Sequence, residues 1–276
     1  MRIAVLSGKG GTGKTFVSVN LAAVAQDVAY IDCDAEEPNG HLFFRPESVK
    51  DTTVYTMLPA FDAAKCDGCR KCLEFCRFNA LAFVQGKPRV FPEVCHACGG
   101  CALVCPQNAV TEEKRAVGTV KQGVSGGIPV ITSMLNPGEV SAVPVIKAAL
   151  HATDASAVID SPPGSGCSVT EAVSGADYCL LVAEPTAFGL HNLRMVHELV
   201  TLLNKPLGII VNKADGVYPP LEKFCADHHA PVLAHILYSQ KLAQISAEGK
   251  LAVQHNPQLR QLFESLWETV IAEAAS

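Results

Sequence analysis

The stretch Gly8-Lys9-Gly10-Gly11-Thr12-Gly13-Lys14-Thr15 follows the apolar residues 3–6 and precedes a segment whose apolar residues have helical spacing. Glycines without a Cβ let backbone N–H groups turn toward a polyphosphate, Lys14 reaches the outer phosphates, and Thr15 offers a hydroxyl to Mg²⁺. The spacing Gly-x-x-x-x-Gly-Lys-Thr between a strand and a helix therefore predicts a nucleotide site. Residues 8–15 are called the cradle from here on. Phosphate binding by the cradle does not require a second lysine, so we expect Lys9 to have its own electrostatic role.

The composition limits the classes of protein that fit this chain. Its 276 residues are 49% hydrophobic and carry a formal net charge of −5. That is enough for one α/β domain with an insertion or for two small domains. Acidic charge without a basic run predicts no nucleic-acid partner. The apolar runs are far too short for a membrane span and no signal peptide is recognised, so we expect a cytoplasmic protein without a membrane anchor.

Carboxylates follow two of the predicted strands. The apolar residues 28–31 end in Asp32-Cys33-Asp34, and residues 157–159 run into Asp160 and the loop Ser161-Pro162-Pro163-Gly164. Because α/β sheets bind their ligands at the carboxyl ends of strands, both groups are predicted to lie beside the nucleotide.

The remainder of the chain alternates between strand and helix patterns. Strands are predicted at residues 117–122, 128–134, 178–183, 207–211 and 232–237, and helices at residues 14–25, 139–151, 190–203, 221–227 and 258–274. No element is assigned between residues 36 and 60, where the pattern weakens. The alternation predicts an α/β fold of the P-loop NTPase type, with a mainly parallel sheet covered by helices on both faces.

Residues 66–109 contain an internal repeat in which Cys66 and Cys95 are equivalent. Three cysteines at Cys-x-x-Cys-x-x-Cys spacing can hold one iron–sulfur cube, and the fourth cysteine of each run is directed to the other cube. The two ligand sets are therefore expected to cross. Cluster one takes Cys66, Cys69, Cys72 and Cys105, and cluster two takes Cys95, Cys98, Cys101 and Cys76. A pair of zinc sites is the alternative that the Cys-x-x-Cys steps alone permit.

Four further cysteines lie outside this repeat. Cys179 and Cys225 stand among apolar residues and are predicted to be core. The pattern assigns no role to Cys33 or Cys167. His96 lies within the second run, but four cysteines are already available for each cluster, so we expect a solvated side chain.

The cysteine-rich module resembles a bacterial two-cluster ferredoxin over residues 61–114. It departs from that pattern at Cys76-Arg77, where the second run has Cys105-Pro106. The outer chain, residues 1–60 and 115–276, resembles the MinD and Mrp group of P-loop ATPases through its Lys-Gly-Gly-x-Gly-Lys-Thr loop and the patterns at Asp32, Asp160 and Asn212-Lys213. Together they are similar to MinD-superfamily ATPases with an inserted two-cluster ferredoxin domain.

This resemblance implies roles for individual residues. Lys9 matches a signature lysine that reaches the nucleotide of the partner subunit, so hydrolysis would require an ATP-dependent homodimer. Lys14 and Thr15 match the cradle lysine and the Mg²⁺ ligand. Asp34 matches the residue that orients the attacking water, and Asp160 matches a carboxylate near Mg²⁺ that acts indirectly. Asn212 matches the residue that recognises adenine, and Asp32 and Asn39 match less specific positions near the nucleotide. Asp32 capping a turn and Asn212 closing a strand are the structural alternatives.

The combined expectation is an ATPase that uses ATP/ADP, Mg²⁺ and two 4Fe–4S clusters and passes electrons to a protein redox partner. Two other functions stay open at this point. One is an iron–sulfur carrier that donates clusters to an apoprotein acceptor, and the other is a MinD-like positioning ATPase. The terminal helix argues against membrane positioning because Glu264, Glu268 and Glu273 make it acidic.

Overall fold

The computed structural model describes residues 1–274. The strands, in chain order, are β1 (Arg2–Leu6), β2 (Ala29–Asp32), β3 (Glu47–Phe61), β4 (Leu81–Val84), β5 (Lys87–Val90), β6 (Val110–Ser125), β7 (Ile128–Leu135), β8 (Ala157–Asp160), β9 (Tyr178–Ala183), β10 (Leu207–Ala214) and β11 (Val232–Leu237). The helices are α1 (Lys14–Val24), α2 (Gly40–Phe44), α3 (Lys71–Phe75), α4 (Gly100–Leu103), α5 (Val143–Leu150), α6 (Cys167–Ser174), α7 (Ala187–Leu202), α8 (Pro219–Asp227), α9 (Gln240–Ala247) and α10 (Pro257–Ala274).

Within these residues, nine strands form one sheet in the order β11-β10-β9-β1-β8-β2-β7-β6-β3. Neighbours from β11 to β7 run parallel, whereas β6 is antiparallel to β7 and β3 is antiparallel to β6. One apolar core packs α5, α6, α7 and α8 on one face, and a second packs α1, α2 and α10 on the other. The prediction of a mainly parallel sheet with helices on both faces is confirmed.

Several predicted elements differ from the structure. Strands β9 and β11 coincide with their predicted ranges, but the helix predicted at residues 139–151 is the shorter α5. Pro144 lies in the first turn of α5, where a missing backbone N–H removes no helical bond, so it does not disturb the helix. The weak pattern of residues 36–60 hides α2 and the 15-residue strand β3, and helices α6 and α9 were not predicted.

Strands β3 and β6 form a long antiparallel ribbon that carries the cysteine-rich segment at its far end. The pairing continues from Glu47 opposite Val124 to Phe61 opposite Val110. The predicted limits at residues 60–61 and 114–115 therefore lie on paired strands of this ribbon. Residues 62–109, called the insertion from here on, contain α3, α4 and the hairpin β4–β5.

The two halves of the insertion repeat the same backbone. Left-handed conformations recur at equivalent positions, Gly68 with Ala97, Arg70 with Gly99, and Asn79 with Asn108. Arg70 and Gly99 directly precede α3 and α4 in the two halves. The duplication seen in the sequence is thus preserved in the local fold.

The described residues outside the insertion are called the body from here on. The last helix, α10, packs its apolar residues onto the rest of the body, with Leu259, Phe263, Leu266 and Val270 buried. The acidic terminal helix is therefore docked through its apolar face. Over residues 1–274, no helix combines the length and the hydropathy that crossing a membrane would require.

Candidate functional site

The glycine-rich cradle joins β1 to α1 at the carboxyl edge of the sheet. Gly13 precedes α1 with φ of 96°, and a Cβ there would lie 2.1 Å from the side-chain nitrogen of Asn212. A Cβ on Gly8 would lie 2.3 Å from the carbonyl oxygen of Asn192. Both positions require glycine because neighbouring chain segments approach the loop closely.

Lys14 points to the carboxylates that end the neighbouring strands. It is 6% exposed and forms an ion pair with Asp160, and its Nζ lies 4.0 Å from Oδ2 of Asp34. Burial lowers the pKa of Lys14, but the charge and hydrogen bond of Asp160 outweigh that effect and raise the pKa above its ordinary value. The structure therefore brings three of the predicted catalytic side chains together.

Tyr30 completes the contacts of Asp160. Its hydroxyl donates a hydrogen bond of 2.9 Å to Asp160 Oδ2, while Lys14 contacts the other carboxylate oxygen. Burial and the charge of Asp160 raise the pKa of Tyr30 well above its ordinary value, so the phenol remains a donor. A Cβ added to Gly40 would lie 2.2 Å from the Tyr30 ring, so this ring also packs against the start of α2.

Asp32 holds the segment that leads into α2. Its carboxylate accepts backbone N–H groups from Asp34 at 3.1 Å, from Asn39 at 3.0 Å and from Gly40 at 2.8 Å. This is the hydrogen bonding expected of the turn-capping alternative. Burial, followed by the charge of Asp160, raises the pKa of Asp32 to about 7.

Asp34 is less buried than Asp32. Burial raises the pKa of Asp34 to about 6, although the charge of Lys14 opposes that shift. A carboxylate with this pKa can accept a proton close to neutral pH.

Lys9 is bound within its own chain. Its Nζ lies 2.8 Å from Oε2 of Glu184 and 4.9 Å from the ring centre of Phe188. Lys213 contacts the other oxygen of Glu184 at 2.7 Å and also donates to the carbonyl of Gly11 at 2.7 Å. Glu184 thus connects Lys9 to Lys213 at the carboxyl end of β10.

Asn212 lies at the wall of a cavity beside the cradle. The side chain is 5% exposed, and its Nδ2 donates to the carbonyl of Thr12 at 2.8 Å. The cavity has a volume of about 390 Å³, within the range of small-molecule sites. Its other walls come from α1, the end of β11 and α9, with Phe16, Leu237, Tyr238, Leu242 and Ala243 among them.

Two hydroxyls at this edge fit a nucleotide with Mg²⁺. Thr15 is half-buried, and its hydroxyl makes no hydrogen bond within residues 1–274. Ser161, next to Asp160, is buried and its Oγ has no partner in the same part of the chain. Unpaired hydroxyls beside a carboxylate supply the hard oxygen donors that Mg²⁺ prefers.

The eight cysteines of the insertion line two cavities. One is lined by Cys66, Cys69, Cys72 and Cys105, and the other by Cys76, Cys95, Cys98 and Cys101. Each cavity therefore combines three cysteines of one repeat with the last cysteine of the other. Val110 of β6 borders both cavities, with Phe61 at the first and Pro59 at the second.

Backbone donors and neighbouring thiols surround these sulfurs. The N–H of Ala80 donates to Cys76 Sγ at 3.4 Å, and the equivalent N–H of Ala109 donates to Cys105 Sγ at 3.3 Å. Burial, followed by the nearby thiol of Cys76, raises the pKa of Cys101 to about 11. Within residues 1–274, no three His, Cys, Asp or Glu side chains are grouped so as to hold a single metal ion.

The second half of the insertion also contacts the body. Arg115 of β6 donates to the carbonyl of Pro92 at 2.9 Å and to Glu139 at 2.7 Å. His96 is exposed, as expected, and stacks on Phe78 with ring centres 3.9 Å apart.

The cysteines outside the insertion divide by burial. Cys179 and Cys225 are buried in the core, which agrees with the expectation for both, and Cys33 is also buried there. Cys167 begins α6 and is exposed.

Sequence reasoning missed Tyr30 as part of this site, and it assigned Glu184 only to folding near the base without foreseeing its contact with Lys9. Tyr30 stands two residues before Asp32 on β2, a position whose side chain reaches the neighbouring β8 only once the strands are paired. Glu184 follows the buried strand β9, so a carboxylate at a strand end was the available signal.

Comparison with known proteins assigns the family. Residues 3–253 match the CobQ/CobB/MinD/ParA nucleotide binding domain. The chain belongs to this family. It is 30% identical over 285 aligned residues to the uncharacterized protein MJ0578 of Methanocaldococcus jannaschii, covering 98% of both chains.

Two other similarities concern the fold and a short stretch of sequence. The septum site-determining protein MinD from Pyrococcus horikoshii, solved with Mg-ADP, superposes with a TM-score of 0.59 at 19% identity and covers 98% of this chain and 95% of its own. A component of the ion-translocating oxidoreductase complex from Methanosarcina acetivorans is 38% identical over 45 residues, which is 16% of this chain and 17% of that protein. The family match supports the predicted nucleotide-binding P-loop fold, whereas the ferredoxin-like nature of the insertion stays a prediction.

Proposed function

We propose that this protein is an ATPase that couples ATP binding and hydrolysis to two 4Fe–4S clusters and delivers electrons to a protein partner. One observation carries the proposal, namely that each of the two cavities in the insertion is lined by one complete crossed set of four cysteines. Such crossing is typical of two-cluster ferredoxins. The 45-residue similarity to a component of an oxidoreductase complex is consistent with redox work.

The thiol arrangement favours clusters over single ions. A zinc ion needs its ligands to converge on one point at about 2.3 Å from each sulfur. Here each cavity is lined by three thiols of one repeat and the fourth thiol of the other. Four thiols around a larger body are what an iron–sulfur cube requires, and the amides of Ala80 and Ala109 supply the N–H···S bonds that tune its potential.

At the nucleotide end, we assign roles from the observed contacts. Residues Gly8 to Thr15 would bind the phosphates, and Thr15 with nearby Asp160 would hold Mg²⁺, which neutralises charge on the phosphates. Lys14 would exchange its contact with Asp160 for the outer phosphates, and Asp34 would orient the attacking water. The cavity beside Asn212 would take the adenine, while Asn212 also fixes the cradle at Thr12.

Lys9 would act across a homodimer. A positive charge placed on the transferring phosphate by a partner subunit is worth about 10³ or more in rate. In the single chain, Lys9 contacts Glu184 and Phe188, so these two contacts must break before Lys9 can reach the nucleotide of a partner subunit. Hydrolysis would then depend on dimerisation induced by ATP.

A continuous route connects the nucleotide to the insertion. Asp32 binds the N–H groups of Asn39 and Gly40 at the start of α2, and α2 leads into β3. The hydroxyl of Ser125, at the end of β6, bonds the carbonyl of Phe44 in α2. A shift of α2 with nucleotide state would therefore reach both strands of the ribbon and, through Phe61 and Val110, the cavities.

The first experiment tests the clusters themselves. Protein purified without oxygen should contain about eight iron and eight acid-labile sulfide per chain, since each cube holds four of each. The expected absorption is a broad band that bleaches on reduction. Stoichiometric zinc with no sulfide would overturn the proposal.

The second experiment tests Lys9 in hydrolysis. Lys9→Ala should lower kcat about 10³-fold while cluster content and ATP affinity remain close to those of the wild type. Lys14→Ala should weaken ATP binding itself, and Lys223→Ala, on the exposed surface of α8, serves as the control. Normal hydrolysis by the Lys9 variant would refute the role across the dimer.

Cluster donation to an apoprotein is a second candidate. The equivalent residues Cys69 and Cys98 are exposed, so one thiol of each set is accessible to an acceptor. Iron labelled in the holoprotein should then move to an apoferredoxin during ATP turnover. Full retention of the label by the eight cysteines would reject this candidate and leave electron transfer.

A further inference from the structure

A separate cavity of about 470 Å³ lies between α2 and the antiparallel edge of the sheet. Its floor comes from β7 and β6 and its walls from β3 and from the connection that follows α2. No residue of the cradle lines it. The lining side chains are His41, Arg45, Pro46, Val49, Asp51, Lys121, Val130, Thr132 and Met134, together with Gly123.

Polar groups at this cavity lack partners within the protein. Thr132 is 4% exposed, and its hydroxyl makes no hydrogen bond within residues 1–274. His41 Nδ1 is buried and likewise has no partner in the described chain. Because buried polar groups are normally satisfied, the unpaired Nδ1 of His41 at a cavity wall indicates that another molecule supplies the bond, and the Thr132 hydroxyl beside it is free to accept or donate one.

Two cations and one carboxylate, Arg45, Lys121 and Asp51, line the same space. Within residues 1–274, neither the exposed Arg45 nor the half-buried Lys121 forms a salt bridge or a side-chain hydrogen bond. Asp51 is directly opposite Lys121 in the strand register, yet the two do not pair. The lining therefore keeps a net positive charge that a bound anion would neutralise.

The backbone around the cavity is built for this shape. Arg45 and Ser48 adopt left-handed conformations with φ of 49° and 53°, which cost energy in residues with a Cβ. A Cβ on Gly123 would lie 2.8 Å from the carbonyl oxygen of Glu47, so glycine allows the wall to close on the floor. Strain held next to unpaired polar groups is a pattern found at ligand sites.

We infer that this cavity binds a small organic anion, with its carboxylate or phosphate group held by Arg45, Lys121 and the Thr132 hydroxyl. Pro46, Val49 and Met134 provide apolar contact for the rest of the ligand. The site adjoins the nucleotide edge, because Thr132 pairs with Asp32 in the register of β7 and β2. The inference stands independently of the iron–sulfur clusters and of ATP hydrolysis.

The test uses three probes that share one ring, namely benzoate, phenyl phosphate and benzyl alcohol. Each is titrated into the full-length holoprotein with Mg-ADP present, so that phosphate does not enter the cradle. Amide NMR shifts of Gly123 and Thr132 report on the cavity. We expect saturable shifts with benzoate, phenyl phosphate or both, and the tighter of the two identifies the anionic group. No shift with either anion, or equal binding of benzyl alcohol, would overturn the inference.

Matched variants connect the binding to these side chains. Lys121→Gln should weaken the anion at least about tenfold, because a charge-assisted bond is lost, and Thr132→Val should weaken it about fivefold. Lys50→Gln, an exposed lysine on β3 that does not line the cavity, should bind as the wild type does. Wild-type affinity in a folded Lys121→Gln variant would contradict the assignment.

Discussion

Strands β8 and β9 are buried along their whole length, whereas between residues 62 and 109 only Ala80, Pro88, Gly100 and Ala109 are buried. Neither apolar core includes a residue of the insertion. Segments of this size with so little buried apolar surface usually depend on disulfides or metals for their stability. The body is thus stabilised by burial, and we infer that the insertion is stabilised by what its cysteines bind.

Removal of one cysteine from each crossed set tests this contrast and should have the largest effect. In a Cys72→Ser/Cys101→Ser variant, amide exchange in the β4–β5 hairpin should rise more than about a hundredfold, because binding free energy of the metal is folding free energy for such a module. Exchange in α7 should not change. Hydrogen-exchange mass spectrometry measures both regions. Cys167→Ser, an exposed cysteine of the body, is the control, and a hairpin that keeps its protection without the two thiols would contradict the contrast.

A substitution of Tyr30 tests how a buried hydrogen bond to Asp160 contributes to the nucleotide site of the body. Tyr30→Phe keeps the ring that packs on Gly40 but removes the hydrogen bond to Asp160. Loss of a bond to a charged group should reduce kcat about tenfold and shift the Mg²⁺ concentration needed for half-maximal activity. Steady-state ATPase assays provide both values. Tyr55→Phe on the ribbon should leave them unchanged, and equal kinetics of the two variants would remove Tyr30 from the site.

Glu184 should have a smaller effect in the opposite direction. Glu184→Gln weakens the hold on Lys9 and Lys213, so dimerisation with a non-hydrolysable ATP analogue should occur at a protein concentration about two- to fivefold lower. The effect is modest because partly exposed ion pairs contribute little. Sedimentation velocity measures the dimer fraction. Glu264→Gln, which removes an exposed helical ion pair, is the control, and weaker dimerisation of the Glu184 variant would reverse our interpretation of this contact.

The pH dependence of stability tests the body alone. The folded state raises the pKa of Asp32 to about 7 from its ordinary value of 3.8, so the folded protein binds this proton more tightly than the unfolded chain does. This tighter proton binding adds to the free energy of unfolding. The added stability is fully present below a pH of about 4 and is lost as the pH rises through about 7. Relative to Asp32→Asn, the nucleotide-free wild type should lose up to about 1.4 kcal/mol per pH unit between pH 5 and 7. Urea unfolding at fixed pH measures this difference, and parallel curves would refute it.

Much of the body could be predicted because its motifs are local. Lys14 and Thr15 belong to one contiguous loop, and Asp160 ends an apolar run, so sequence spacing alone indicates their place at the sheet edge. Tyr30 was not predictable in this way, since its partner Asp160 lies 130 positions away and meets it only through strand pairing. The same holds for the contact of Glu184 with Lys9.

The ribbon was missed for a different reason. The first seven residues of β3 are exposed, so the strand has no clear apolar alternation until it approaches the insertion. Its stability comes from pairing with β6, which lies beyond the cysteine-rich segment. In contrast, spacing alone could group the cysteines that line each cavity, because the duplicated module repeats the same turns, and their role as cluster ligands stays a prediction.

We propose that exchange of ADP for ATP in the body changes the surroundings of the clusters in the insertion. Midpoint potentials of the clusters, measured by spectroelectrochemistry on anaerobically purified protein, test it most directly. We predict that at least one potential differs between the ADP-bound protein and the protein with a non-hydrolysable ATP analogue, beyond the error of the titration. Identical potentials in the two states would contradict the coupling.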